Sequence, residues 1–501
     1  MDIFANLWLG LQTAASFTNL FYCLIGTVLG TAIGVLPGLG PVATIAMLLP
    51  ITFGLQPVTA LIMLSGIFYG AQYGGSTTAI LVNIPGETSS VVTCIDGYEM
   101  AKQGRAGKAL ATAAIGSFFA GTVVTLLIAL FSPPLAGIAL KFGPAEYFSL
   151  MMLGLVASVV LARGSLPNAL GMIALGLLLG IVGTDVNSGV ARFSFDSSDL
   201  ADGISFVVVA MGVFGLGEVI GNLEQGSEQR GLLVKKVTGL MLTREDFKAI
   251  AWPVLRGTLV GSILGILPGG GSTLSSFSAY ALEKKVSKNA ANFGKGAIEG
   301  VAAPESANNA GAQASFIPML TLGIPSNAVM ALMIGAMMIQ GIQPGPQVMT
   351  QQPALFWGLV VSMWIGNFFL VILNLPLIGL WVKMVSVPYH LLFPAIIVFC
   401  GIGVFSVSNS TFDVYLMAVF GLLGYIFRKL DCEPAPLMLS FILGPMIEEF
   451  LRRALLMADG DPMVFVTRPI SATLLGVCAI VIVMVALPAL RKKREEVFVE
   501  D

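Results

Sequence analysis

Gly26-Thr-Val-Leu-Gly-Thr-Ala-Ile-Gly-Val-Leu-Pro-Gly-Leu-Gly40 recurs 231 positions on as Gly257-Thr-Leu-Val-Gly-Ser-Ile-Leu-Gly-Ile-Leu-Pro-Gly-Gly-Gly271. In both copies three glycines fall at the four-residue spacing of one helix face, and a Leu-Pro-Gly closes the phrase. The chain reads as an internal duplication. The surroundings of the copies differ: no Lys or Arg precedes Lys102, whereas the second copy lies among basic residues. Because cytoplasmic segments are enriched in positive charge, the copies are expected to face opposite sides of a membrane.

Composition fixes the solvent. Of 501 residues, 56% are hydrophobic and 11% charged, with a mean hydropathy of +0.89, against about 25% charged in a soluble domain. These values describe an integral membrane protein. Runs such as 204–221 and 470–490 approach or reach the ~20 residues that carry a helix across ~30 Å of hydrocarbon. They are too continuous for barrel strands. The N-terminus lacks the basic flank and small-residue cleavage site of a secretory signal, so Met1 onward is read as mature. Five scattered cysteines with no Cys-x-x-Cys pair argue against a disulfide framework and a zinc site.

Hydropathy gives spans near 57–85, 109–130, 144–162, 166–184, 204–221, 297–325, 354–375, 388–407, 412–427, 435–450 and 470–490. The stretches 21–55 and 252–282 differ, because Leu-Pro-Gly breaks each near its middle. Two limbs of about 12 to 16 residues, rising 1.5 Å per residue, would reach roughly the midplane and return. Both stretches are therefore read as re-entrant hairpins with the glycine phrase at the tip. Unpaired backbone is tolerated at that depth only where it lines a cavity or is buried in protein.

With the N-terminus outside, 21 of the 26 basic residues fall inside, among them Lys102, Arg105, Arg256, Lys284, Arg428 and the tail from Arg491. Lys141, Arg192, Arg452, Arg453 and Arg468 fall outside, and the last three make the segment 444–453 the weak point of the map. Residues 98–108 read as a solvated cytoplasmic loop.

The duplication extends further. Pro134-Leu-x-Gly-x-x-x-Lys141 returns as Pro376-Leu-x-Gly-x-x-x-Lys383, and Tyr147 answers Tyr389. Gly70-Ala-Gln72 and Ile84-Pro85 return as Gly311-Ala-Gln313 and Ile324-Pro325. An acidic loop with Asp185, Asp196, Asp199 and Asp202 answers a basic one with Arg428 and Lys429, as an inverted repeat requires. The expected fold is an all-α polytopic membrane protein with an inverted-topology internal repeat, about 11 transmembrane helices and two re-entrant hairpins, of the secondary-transporter type. Residues 1–225 form the first repeat, 226–251 a cytoplasmic linker, 252–455 the second repeat, and 456–501 an added helix with a basic cytoplasmic tail.

Binding is expected at the broken tips, at Pro37, Gly38, Gly40, Pro268, Gly269, Gly271, Ser272 and Thr273, since proline followed by glycine does not continue a helix cheaply. The glycines before each tip are more simply read as helix packing. In Gly70-Ala-Gln-Tyr-Gly-Gly-Ser-Thr-Thr78, residues Gly74, Gly75, Ser76 and Thr77 bring glycine and hydroxyls into an apolar span, where exposed helix N-termini would hold a carboxylate. Hydroxyls bonded back to their own helix are the plainer alternative. In Pro304-Glu-Ser-Ala-Asn-Asn309, Glu305 is an intramembrane carboxylate, costly unless paired or functional, and is assigned to ion coupling, with a helix cap as the structural alternative. Asn308 and Asn309 supply amide groups beside it, and Ser326 and Asn327 are weaker site candidates.

These motifs, with Asp96-Gly-Tyr, Phe293-Gly-Lys-Gly-Ala-Ile-Glu-Gly and Gly341-Ile-Gln-Pro-Gly-Pro346, resemble over essentially the whole chain the large membrane subunit of tripartite tricarboxylate transporters, the TctA type. The resemblance implies a multi-pass protein of the bacterial inner membrane, N-terminus periplasmic and C-terminus cytoplasmic. It also implies a small membrane subunit of the TctB type and a periplasmic solute-binding protein of the TctC type as partners. Uptake of citrate or related carboxylates, driven by Na⁺ or H⁺, follows from the same resemblance. The chain departs from the family pattern at Leu322-Gly-Ile-Pro-Ser-Asn327, where Leu-Gly-Ile-Pro-Gly is expected.

No Gly-x-x-x-x-Gly-Lys-Ser/Thr phosphate loop occurs, so ATP hydrolysis by that route is excluded. A single histidine, His390, excludes His-Glu-x-x-His protease chemistry, and no cofactor, metal or nucleic acid is called for. A passive anion channel is the alternative to ion-coupled transport. It would need a pore ringed by basic residues, and the spans hold almost none.

Overall fold

The computed structural model describes residues 3–36, 39–161, 165–185, 188–224, 237–267, 271–385 and 389–486. In lipid an α-helix satisfies its backbone polar groups within its own segment, and accordingly the described part of each of the 11 apolar stretches is mainly helical. Among the described residues six helices are long and apolar enough to cross a membrane: Phe17–Gly34, Ala106–Ala139, Phe206–Glu224, Arg244–Ile266, Pro353–Asn374 and Thr411–Lys429. The span expected at 57–85 is the helix Pro57–Val82, and that at 297–325 is Glu299–Ala314 followed by Phe316–Leu322. Helices not anticipated include Ile3–Ala14 and the buried Ala328–Ile339.

The glycine phrases build the same joint twice. Gly26, Gly30 and Gly34 rest on the backbone of Met63, Ile67 and Ala71, while Gly257, Gly261 and Gly265 rest on Ala303, Ala307 and Gly311. Each pair of equivalent partners is 240 positions apart. A Cβ at any of these six glycines would run into a partner carbonyl oxygen or its Cα, which is why the face is stripped to hydrogen. Both copies also end alike. Pro57–Val82 stops at Asn83 (φ 57°) and Phe316–Leu322 at Gly323 (φ 72°), each in the left-handed conformation and each followed by Ile-Pro.

The hairpin limbs correct the sequence expectation. The first limbs have 18 and 23 residues rather than 12 to 16, and the returning limbs Pro41–Leu48 and Gly271–Val286 have 8 and 16. In the second copy the limbs lie along each other and are tied by Arg256, whose Nε and Nη2 donate to the Glu283 carboxylate at 2.8 and 2.7 Å. In the first copy no such pair exists, and Pro41–Leu48 turns away onto Pro57–Val82 and the wide turn Met211–Leu216. Arg256→Ala would strand a carboxylate that is 1% exposed. With the guanidinium itself a third exposed, the loss should be about 2 kcal/mol, read as a lower melting temperature of the purified chain.

The arginines that troubled the charge map are paired. Ala435–Met457 runs unbroken through 444–453. Arg452 binds Asp185 and Glu448 at 3.1 and 2.5 Å, and Arg192 binds the same two carboxylates at 2.5 and 2.9 Å. Arg453 pairs with Glu449 and Arg468 with Glu146. This network anchors the short antiparallel ladder of Gly183–Thr184 with Ala191–Arg192. A second correction concerns 98–108. It is no free loop: Met100 and Ala101 are buried, Arg105 donates to the Gly296 carbonyl at 2.6 Å and Gln103 to that of Lys295 at 2.7 Å.

Candidate functional site

A cavity of about 550 Å³ is lined by Gly40 and Gly271, the last glycines of the two phrases, and is within the range of small-molecule sites. Four helices begin on it: Pro41–Leu48, Gly271–Val286, Ala328–Ile339 and Ala435–Met457. Each start has a local cause. Pro41 and Pro436 sit in first turns, where a missing N–H costs nothing. Asn327 caps its helix by accepting from the Met330 N–H at 3.0 Å. Gly271 starts its helix at φ 47°. The first N–H groups of a helix have no partner within it and carry the positive end of its dipole, so four such ends bear on one space.

Among the described residues no Lys or Arg lines the cavity, whereas Glu87, Glu218 and Glu433 do, together with Gln72. Thr88 and Thr273, one from each copy, share a hydroxyl hydrogen bond of 2.7 Å at its edge.

Of the residues expected at the site, Gly40, Gly271, Ser272, Thr273 and Asn327 line this cavity. Pro37, Gly38, Pro268 and Gly269 lie outside the described residues. Gly74, Gly75, Ser76 and Thr77 do not line it, and the expectation of a helix N-terminus there is overturned: they sit inside the 26-residue helix Pro57–Val82. Gly74 packs on Gly34, Gly75 packs on Gly86, the Thr77 hydroxyl bonds back to the Tyr73 carbonyl at 3.2 Å, and the Ser76 hydroxyl, 3.2 Å from the Gln72 carbonyl, is closer to the Glu305 carboxylate. Ser326 is buried, its hydroxyl 3.5 Å from the Ser315 carbonyl.

Glu305 lies behind the cavity, buried within Glu299–Ala314, and caps no helix. Ser76 donates to its Oε2 at 2.7 Å and Thr93 to its Oε1. Asn309 is turned to Ser117 at 2.6 Å, and Asn308 donates to Glu87 Oε1 at 2.8 Å. Glu305 thus bonds to side chains more than 200 positions away in the chain, and the carboxylates that reach the open space are Glu87, Glu218 and Glu433.

A sequence model of the tripartite tricarboxylate transporter TctA family matches residues 20–439. The chain belongs to that family. It is 61% identical over its full length to the whole of an Agrobacterium vitis protein described as an uncharacterized 52.8 kDa protein in the TAR-I ttuC′ 3′ region. A second Agrobacterium vitis protein, described as uncharacterized in the TAR-II ttuC′ 3′ region, is 62% identical over 241 residues, which is all of that protein and 48% of this chain. No solved structure matches.

In this TctA-family chain, sequence reasoning missed Gln72, Glu87, Glu218 and residues 433–436. The signal for Glu87 was present. Ile84-Pro85-Gly86-Glu87 stands 240 positions before Ile324-Pro325-Ser326-Asn327, the same offset that relates the glycine partners. The last glycine of each phrase meets a neighbouring position of these segments: a Cβ at Gly40 would lie 3.7 Å from the Gly86 carbonyl oxygen, and one at Gly271 would lie 3.6 Å from the Asn327 side-chain nitrogen. Singling out Ser326 and Asn327 therefore pointed also to Gly86 and Glu87.

Proposed function

We propose that the chain is the translocating subunit of a cation-coupled importer of tricarboxylates or related small carboxylates. The carrying observation is a 550 Å³ cavity faced by four helix N-termini with no basic side chain on it. Helix ends and hydroxyls hold carboxylate groups without a fixed positive charge. Glu87, Glu218 and Glu433 add negative charge to the same space, so an anion entering it must be accompanied by cations.

On this reading the two glycine-phrase copies are re-entrant elements of an inverted repeat, and the tips expose the cavity to each side in turn. The bonded Thr88 and Thr273 form a contact between copies that this motion breaks. The chain lies in a bacterial inner membrane with its N-terminus periplasmic and its C-terminus cytoplasmic. A small TctB-type membrane subunit works beside it, and a periplasmic TctC-type binding protein delivers the substrate.

The test is reconstitution in liposomes with both partner subunits and labelled citrate or smaller carboxylates. Accumulation is expected only under an imposed Na⁺ or proton gradient, and to saturate with substrate. Concentrative uptake with no gradient would refute coupling, and ohmic anion conductance would identify a channel. Ser272→Trp, which fills the cavity from the start of the second-copy helix, is expected to reduce uptake to background with little change in melting temperature.

A further inference from the structure

We propose that Glu87, Asn308 and Gln72 form a Na⁺-binding site on the wall of the cavity, an assignment that rests on the coupled-transport reading above. Three observations converge on it. Glu87 lines the cavity and accepts from Asn308 Nδ2 at 2.8 Å, which leaves Asn308 Oδ1 buried with no hydrogen-bond partner among the described residues. Gln72 lines the same cavity, is fully buried, and has neither its Oε1 nor its Nε2 bonded to another described group. Glu87 also lies against the face of the helix that carries Gln72. A Cβ at Gly75, one turn along on that face, would meet Glu87 Cγ at 3.5 Å.

A buried amide with both ends unpaired costs about 1–3 kcal/mol per group and is rare in native proteins. Its presence on a cavity that Glu87 also lines, with a second unpaired amide oxygen on the Asn308 that bonds Glu87, points to a ligand. A proton would require only the carboxylate, since neutral amide oxygens do not take one at physiological pH. A hard cation uses all three oxygens, and oxygen donors are what such ions select. One carboxylate with two neutral oxygens carries a single negative charge, which matches a monovalent ion.

The position also explains coupling. The ion would sit on the joint between Pro57–Val82 of the first copy and Glu299–Ala314 of the second, beside four helix ends that attract the anion. Glu305 is the competing carboxylate, but it does not line this cavity, and Ser76 and Thr93 each donate to one of its oxygens.

The experiment uses the full chain alone, without substrate or partner subunits, in detergent or nanodiscs. Its melting temperature is followed as NaCl replaces choline chloride at constant ionic strength, with KCl in parallel. A saturable, Na⁺-selective rise of about 2–4 °C is expected, and it should vanish in Glu87→Gln and Gln72→Leu. The second variant guards against misfolding. If the Gln72 amide serves no ligand, an apolar replacement removes unpaired polar atoms and the chain keeps its Na⁺ response; if it is a ligand, the Na⁺-free melting temperature holds or rises while the response is lost.

A Na⁺ response unchanged in both variants overturns the proposal. So does one lost in Glu305→Gln but kept in Glu87→Gln. Absence of any Na⁺ response in the unaltered chain while gradient-driven uptake persists overturns the site alone. A normal Na⁺ response with no carboxylate uptake under any gradient overturns the transport reading alone.

Discussion

Asp96→Ala is expected to lower the melting temperature of the purified chain by about 3–5 °C and to abolish transport. Asp96 is fully buried in the wide turn Cys94–Tyr98. Its Oδ1 accepts the backbone N–H groups of Gly294, Gly296 and Ala297 at 2.9, 2.9 and 2.8 Å, and its Oδ2 accepts the Tyr280 hydroxyl at 2.9 Å. Gly294 and Gly296 have φ of 80° and 91°, the conformations that turn these N–H groups inward. A Cβ at Gly300 would collide with the same carboxylate.

The side chain thus staples the first half of the chain to the loop that carries the helices of the second. Alanine leaves three N–H groups without their acceptor, at about 3 kcal/mol or more in sum, and each kcal/mol is worth about 1 °C in a chain of 501 residues. Asp96→Asn keeps an oxygen for the amides and should lose less than half as much. Thermal melts monitored by size-exclusion decide it. An alanine variant melting with the unaltered chain would show that the staple carries no stability.

The second large effect is a matched pair. Gly30→Val and Gly261→Val should destabilise the fold alike, because each glycine lies against the backbone of the facing helix, at Ile67 and Ala307. A backbone does not yield as a side chain does, so overpacking should cost at least about 1–3 kcal/mol at either site. That predicts a severalfold or greater fall in folded protein recovered from membranes. Gly171→Ala is the control. It lies in Leu166–Gly180 with nothing within 4 Å of a Cβ and should be neutral or stabilising. Loss at Gly30 without equal loss at Gly261 would argue against equivalent joints.

The glycine face was legible because a four-residue spacing of glycine has few uses other than close helix approach. The spans were legible because hydrocarbon imposes continuous apolar runs. Asp96 was visible only as part of a motif, since a lone acidic residue near Lys102 and Arg105 looks the same whether it is solvated or buried. The limb lengths were misjudged because Leu-Pro-Gly marks where a helix ends and says nothing of where it began. Gly70 to Thr78 was misplaced for a related reason: glycines and hydroxyls suggest an opened helix, yet here they let a continuous one pack between neighbours. Ala328–Ile339 escaped notice because 12 residues are too few to read as a span.

By itself the sequence determined the solvent, the two glycine faces and the family, all of which depend on residues near one another along the chain. Only the tertiary structure decided that four helix starts share one cavity, that Glu305 is sealed behind it, and that Glu87 meets Asn308 across 221 positions. The physical reason is that hydropathy and turn chemistry act locally, whereas which ends meet is set by side-chain fit between helices distant in sequence. That fit leaves no periodic trace in either partner alone.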